Sequence, residues 1–333
     1  MIPISYYLPP QTLDNPALEK EFGDWSSKKI YNKTGISVRH IATRQELVSD
    51  MAAAAAEKLL CEHEIERSEI DFVILVTQSP DYCLPSTACI VANKLNLGKR
   101  VGAFDINLGC SGFIYGLSVA KGLCVSGTAH NILLICAETY SKYIHPLDRS
   151  TRTIFGDGAA ACLITMDICG QIGQFVLGTD GSHYEKLIIP ASGANRMKLE
   201  QEGTADLKTE STNARTPENL FMDGVGIFNF TLDVVPNVIG EALEVNGLTD
   251  ADIDLYVPHQ ANKHMLTTLR DVMGISPEKF YIDLEETGNT VSATIPIALR
   301  QAQEKGILKP GMRLILVGFG VGLSWGAVSL LWR

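Results

Sequence analysis

The eight cysteines, at 61, 83, 89, 110, 124, 136, 162 and 169, include no C-x-x-C pair and cluster towards the first half of the chain. That spacing argues against a zinc site and against a disulfide framework, and leaves most of them as reduced core residues. No apolar run approaches the roughly 20 residues that cross a bilayer. The N-terminus, MIPISYYLPP, lacks the basic-then-apolar pattern of a secretory signal. A cytoplasmic protein without a membrane partner is expected. Positive charge is also short: 28 Lys and Arg against 38 Asp and Glu give a net charge of −10, so no nucleic-acid partner is expected. What is present is length. A chain of 333 residues can bury a large core, as one α/β unit or as two similar domains.

Stretches rich in Val, Ile and Leu alternate with helical patterns, which predicts a largely parallel sheet with helical crossovers. The order of parts occurs twice. EIDFVILVTQ (69–78) is echoed by DIDLYVPHQA (252–261). VGAFDINLGCSGFIYGLSVAKGL is echoed by FYIDLEETGNTVSATIPIALRQA, each read as a strand containing Asp, a Gly-bearing junction and a long helix. TIFGDGAAACLI is matched by VGFGVGLSWGAVSLL, a Gly-rich turn entering an apolar strand. Three echoes in one order predict two similar halves, 1–170 and 171–333, related by a pseudo-two-fold. Sites of open α/β sheets gather at strand C-terminal ends, so equivalent junctions in the two halves are expected to face one pocket.

Cys110 sits at such a junction, in FDINLGCSGFIYGL. The segment 101–106 reads as a strand, and Phe113, Leu117 and Ala120 recur at helical spacing after it. A sulfur at a helix N-terminus meets unpaired N–H groups and the positive end of the dipole, which predicts a lowered thiol pKa and a usable nucleophile. Cys136 in NILLICAE and Cys162 in AAACLITM, by contrast, read as core filler. His259 in VPHQANKHM and Asn289 in ETGNTVSATIPIAL occupy equivalent kinds of position in the second half. Taken singly, each also fits a structural histidine or a turn asparagine. Together they suit thioester chemistry: a thiolate accepts an acyl group, while imidazole and amide donors hold the oxygen of an enolate formed by loss of CO2. Backbone N–H groups at Cys110 and in the turn GFGVGLSWG, with that of Val321 foremost, would form the oxyanion hole.

DINLGCSGF, VPHQAN, GNT-x-SA-x-IP, FGDGA and GFG-x-G-x-SWG stand in the order of the beta-ketoacyl-[acyl-carrier-protein] synthase III family of the thiolase superfamily, which the chain resembles from about residue 15 onward. The resemblance implies a five-layered α-β-α-β-α fold, a homodimer, and Claisen condensation by a Cys-His-Asn triad. It implies that Cys110 carries the acyl group from an acyl-CoA, and that His259 and Asn289 promote decarboxylation of a malonyl group on acyl carrier protein. No metal and no cofactor is expected to be required. Phe228 matches a phenylalanine that packs near the nucleophile. Leu84 stands where members often place a phenylalanine from the partner subunit, which predicts a pocket open to acyl groups longer or more branched than acetyl.

The sequence also departs from the family. Members that initiate fatty-acid synthesis usually carry a tryptophan that stacks on the CoA adenine and an arginine before TGI; Lys29 and Lys33 occupy those places, which predicts that stacking is lost and only point charges remain. Lys263 and His264 replace the arginine that docks the carrier protein. Arg149 and Arg152 keep a basic character suited to a phosphate. The polar stretch 192–221 lacks apolar periodicity and is expected to be a surface excursion. Two other readings remain open: acyl transfer to an alcohol or amine, and a non-catalytic dimer partner that kept the fold. The Gly-x-Gly of GFGVGLSWG also suggests a dinucleotide loop, but no βαβ unit follows it.

Overall fold

Two twisted sheets carry the chain, and a computed structural model describes residues 1–201 and 215–333 of it. The first sheet is built from β1 (Ile4–Tyr7), β2 (Phe72–Val76), β3 (Gly102–Ile106), β4 (Asn131–Glu138) and β5 (Gly158–Thr165), in the order β1-β5-β4-β2-β3. The second contains β6 (Ile172–Thr179), β7 (Leu255–Pro258), β8 (Arg313–Gly320) and β9 (Ser324–Leu331), in the order β7-β8-β9-β6. In the first sheet β4 runs parallel to β2 and antiparallel to β5. In the second β8 runs parallel to β7 and antiparallel to β9. The two sheets therefore share one wiring, as the echoes in the sequence predict. Even the strand entries match: Asp71 accepts from the N–H of Asn131 at the start of β4 (3.1 Å), and Asp254 accepts from the N–H of Arg313 at the start of β8 (2.7 Å).

One echo is incomplete. The sequence predicts a strand at FYIDL to mirror β3, but only an isolated bridge forms, between Tyr256 and Phe280. The reason is local. The Gln260 amide takes over the ladder, accepting from the Asp283 N–H (2.8 Å) and donating to the Tyr281 carbonyl (3.2 Å), so a side chain does the work of a backbone neighbour.

Helices complete five layers. The helices α1 (Val48–Glu62) and α2 (Thr87–Lys94) cover the outer face of the first sheet. Helices α3 (Gly112–Val125), α4 (Gly224–Val245), α5 (Lys263–Val272) and α6 (Thr294–Glu304) follow. Of these, α3 and α6 touch strands of both sheets and form the central layer, while α4 and α5 close the outer face of the second. The fold is thus the layered α-β-α-β-α thiolase arrangement. The central layer explains why α3 is apolar nearly all round rather than amphipathic: Phe113, Ile114, Leu117 and Ala120 are each fully buried between two sheets. It also needs glycine, because a Cβ at Gly112 would lie 2.4 Å from Val76 and one at Gly116 2.8 Å from Leu134. The strands β2 and β4 are covered on both faces and accordingly read as continuous apolar runs, FVILV and NILLICAE.

The polar excursion is only partly irregular. It contains a helix, Asn195–Gln201, and ends in the short strand Phe221–Met222, which pairs with Leu187–Ile188. Residues 202–214 lie outside the described residues. On its return Arg215 reaches the fully buried Asp148 (3.4 Å), which tethers the excursion to the first half of the chain.

Candidate active site

Cys110 lies four residues beyond the end of β3, in a tight turn in which the Gly112 N–H bonds the Gly109 carbonyl (2.8 Å) and α3 begins. The second half closes over it. The Ser111 hydroxyl lies 2.7 Å from that of Ser324 on β9, and a Cβ at Gly318 would stand 2.8 Å from the Cys110 carbonyl oxygen. At Gly320 a Cβ would lie 2.8 Å from the Cys110 Cβ and 2.9 Å from its sulfur. The glycines of GFG are therefore spacers that let β8 lie flat against the nucleophile turn. The backbone N–H groups of Val321 and of Cys110 itself are directed at the sulfur.

These N–H groups do not give the low thiol pKa expected from the helix terminus. Burial pushes the Cys110 thiol up to about 12, and Glu138 adds to the shift, while the two N–H groups only partly offset it. Only 5% of the residue is exposed, so desolvation outweighs the dipole.

His259 follows β7 directly and is 2% exposed. Burial lowers its pKa to about 3, which keeps the ring neutral near pH 7. Its Nδ1 lies 2.7 Å from the Thr294 hydroxyl, and its ring meets Phe319 edge-on at 5.6 Å. Asn289 is held from both sides. Its backbone N–H bonds the Ile154 carbonyl (3.0 Å), and its own carbonyl accepts from the Gly156 N–H (3.0 Å), which pins this loop of the second half to the FGDG segment of the first. Its Oδ1 accepts from the Val291 N–H (2.8 Å), so the amide NH2 turns towards His259, with Nδ2 3.5 Å from Nε2.

All three side chains line one cavity of about 660 Å³, which opens to solvent past Trp25 and Lys33. Phe228 lines it too, and stacks on His264 with centroids 5.7 Å apart and planes 9° apart. Trp25 was not singled out by sequence, although Trp25, Lys29 and Lys33 follow at i, i+4 and i+8. Both lysine ammoniums lie over its ring, at 4.9 and 5.0 Å, so the mouth holds an indole as well as point charges.

The other sequence-derived candidates sit elsewhere. Arg149 is paired with Asp24 (2.7 Å) and Arg152 with Glu21, so neither guanidinium is free for a phosphate in this arrangement. Their neighbours Ser150 and Thr153 line the cavity instead. Lys263 lies over the Tyr31 ring at 5.9 Å, outside the cavity. Leu84 is 83% exposed on the segment before α2, and it does not line the cavity of its own chain. No cluster of His, Cys, Asp and Glu able to hold a metal occurs among the described residues.

A thiol and two neutral donors facing one cavity, at matched positions of two similar halves, define an acyl-transferring condensing enzyme of the thiolase fold. Residues 104–181 match the family 3-Oxoacyl-[acyl-carrier-protein (ACP)] synthase III, and residues 243–332 match its C-terminal counterpart. The beta-ketoacyl-[acyl-carrier-protein] synthase III of Caldanaerobacter subterraneus subsp. tengcongensis is 40% identical over 98% of this chain and 95% of its own. A crystal structure of a 3-oxoacyl-(acyl-carrier-protein) synthase III superposes with a TM-score of 0.95 and 44% identity, covering 99% of this chain and 98% of that one. The priming beta-ketosynthase of the R1128 polyketide pathway superposes with a TM-score of 0.87 and 30% identity, covering 99% and 95%. The chain belongs to the beta-ketoacyl-[acyl-carrier-protein] synthase III family.

Proposed function

We propose that the protein joins an acyl group from acyl-CoA to the two-carbon unit of malonyl-acyl carrier protein through Cys110, initiating a fatty acid or a related specialised chain. The observation that carries this reading is the pair of neutral donors on His259 and Asn289, 3.5 Å apart in the cavity that holds the cysteine. In the first half-reaction the Cys110 sulfur attacks the thioester carbonyl. The carbonyl oxygen is held by the N–H groups of Cys110 and Val321, and the thiol proton leaves with CoA as its free thiol. The same N–H groups and the start of α3 stabilise the sulfur as it gains charge, which matters because burial keeps the resting thiol protonated.

In the second half-reaction the malonyl thioester oxygen lies between His259 Nε2 and Asn289 Nδ2. A donor is needed at Nε2, and the Thr294 hydroxyl, 2.7 Å from Nδ1 and 3.1 Å from the Val291 carbonyl, places the ring proton there when it turns its one hydrogen from that carbonyl to Nδ1. As the bond to the carboxylate breaks, CO2 departs and the electron pair forms an enolate held by both donors. Its carbon attacks the acyl-cysteine, and collapse of the adduct expels the Cys110 thiolate and yields the beta-ketoacyl carrier protein. Neither step calls for a metal or an organic cofactor, because the thioester itself activates the carbon.

At the mouth, Trp25 flanked by Lys29 and Lys33 suits the nucleotide end of CoA. Lys263 and His264 are assigned to the carrier protein side. Arg149 and Arg152 reach a phosphate only on exchanging Asp24 and Glu21 for it. The working unit is a homodimer. The open edge of β3 and the exposed Tyr82 and Leu84 beside it support this, with Leu84 entering the partner's acyl pocket. The halves 1–170 and 171–333 divide between β5 and β6, and a cytoplasmic site of action follows from the substrates. Among the described residues no helix is long and apolar enough to cross a membrane.

The test is intact-protein mass after mixing the enzyme with a panel of acyl-CoA donors, with Cys110→Ala as control. A Cys110-dependent adduct is expected, with a preference for groups longer or more branched than acetyl. An adduct of equal extent on Cys110→Ala overturns the assignment of the nucleophile, and acylation by acetyl-CoA alone overturns that of Leu84.

A further inference from the structure

One fully buried carboxylate takes no part in the reaction as described. Glu138 ends β4, is completely inaccessible and has no Lys, Arg or His partner among the described residues. A lone buried carboxyl group is costly, and it is tolerated only where hydrogen bonds satisfy it. Here they come from two segments, one in each half of the chain. The hydroxyls of Ser79 (2.8 Å) and Ser292 (2.9 Å) donate to it, as does the Gln78 N–H (3.1 Å). Burial raises its pKa to about 8, the hydrogen bonds opposing the shift.

Ser292 belongs to the second half of the chain, in the turn Val291–Ala293 that directly follows Asn289 and Thr290. This turn is strained. Val291 is β-branched, fully buried and has φ +55°, a conformation such residues avoid. Yet its N–H is the donor that orients the Asn289 amide, and the turn runs on into Thr294, which bonds His259. A strained turn persists only if its surroundings hold it, and the Ser292 hydroxyl is its side-chain bond to the first half. On the other side, Gln78 accepts from the Tyr140 hydroxyl (2.5 Å) and lies where a Cβ on Gly109 would come within 2.5 Å of its Oε1. Glu138 thus braces the Gln78–Ser79 segment behind Cys110 with one oxygen and the Asn289 turn with the other.

We infer that Glu138 is a positioning residue for the decarboxylation half-reaction, acting through Ser292 to hold the turn that aims the Asn289 amide at His259. This rests on the roles given above to Asn289 and His259. Loss of the brace lets the Val291 turn relax, moves the amide donor and leaves the sulfur in place. Small displacements of a positioned group are known to cost on the order of a hundredfold in rate.

The experiment separates the half-reactions: Cys110 acylation by acyl-CoA followed by intact mass, and CO2 release from malonyl-acyl carrier protein by the acylated enzyme. Ser292→Ala removes one hydroxyl and is expected to lower CO2 release by about tenfold or more, with acylation within about threefold of the parent. Glu138→Gln keeps the shape and one acceptor oxygen, and replaces the other acceptor with an NH2 donor. It is expected to lower CO2 release while acylation stays within about threefold of the parent, a split that general loosening does not produce. Added to Asn289→Ala, Ser292→Ala is expected to cost much less than it does alone, because the brace acts first through that amide and only secondarily through Thr294 on His259. Equal loss in both half-reactions, no loss in either variant, or multiplying losses in the double variant each overturn the inference. If Asn289→Ala itself released CO2 at the parent rate, the failure would belong to the reading of the site instead.

Discussion

The Asn289 amide nitrogen lies 3.5 Å from His259 Nε2 because a backbone N–H two residues later, that of Val291, holds the amide oxygen the other way. The donor pair is set by the fold of one turn rather than by contact between the two side chains.

Asn289→Ala is accordingly expected to retain Cys110 acylation and to lose CO2 release by about a hundredfold or more, the scale for removing one oxyanion donor. Single-turnover acylation and CO2 release, measured side by side, check this. Loss of acylation to the same degree would place Asn289 in the first step and contradict its assignment.

Gly320→Ala puts a methyl 2.8 Å from the Cys110 Cβ and 2.9 Å from its sulfur. Acylation is expected to fall by at least about tenfold while the unfolding midpoint shifts little, since a small displacement of the nucleophile suffices. Reaction of Cys110 with iodoacetamide gives a second readout and should slow in parallel.

His259 is neutral in the folded chain down to about pH 3, whereas an unfolded histidine gains its proton near 6.5. Between these values the unfolded state binds more protons, so stability is present above pH 6.5 and is lost as pH falls towards 3. The contribution is at most about 1.4 kcal/mol per pH unit. Urea midpoints measured from pH 7 to pH 4 should fall less steeply in His259→Gln than in the parent. Identical slopes would mean that the imidazole is not held neutral.

Trp25→Ala removes the ring over which Lys29 and Lys33 sit. The KM for an acyl-CoA donor is expected to rise about five- to tenfold, the scale of roughly 1 kcal/mol for a cation–π contact. With a truncated thioester lacking the nucleotide, KM should not move. A rise with both donors would place Trp25 against the acyl or pantetheine part instead.

What could be read in the chain was what is local or repeated. Cys110 stood out because strand, Gly-Cys-Ser-Gly turn and helix are contiguous, and His259 and Asn289 because the second half repeats the wiring of the first. The pKa of the same cysteine was misjudged, since its largest causes are burial and a glutamate 28 residues away on another strand. Arg149 and Arg152 read as phosphate ligands because nothing nearby in sequence announces Asp24 and Glu21 as their partners. Gln260 gave no hint that its amide would replace a strand neighbour at Asp283.

The sequence by itself determined the repeated strand order, the strand ends at which polar residues gather and the three polar side chains that come to line one cavity. These follow from periodicity, turn chemistry and repetition along the chain. Only the tertiary structure decided the protonation of Cys110 and His259, the aim of the Asn289 amide, and the company kept by Trp25, Thr294 and Glu138. Desolvation and hydrogen-bond direction depend on which distant segments pack together, and no local pattern of residues encodes that.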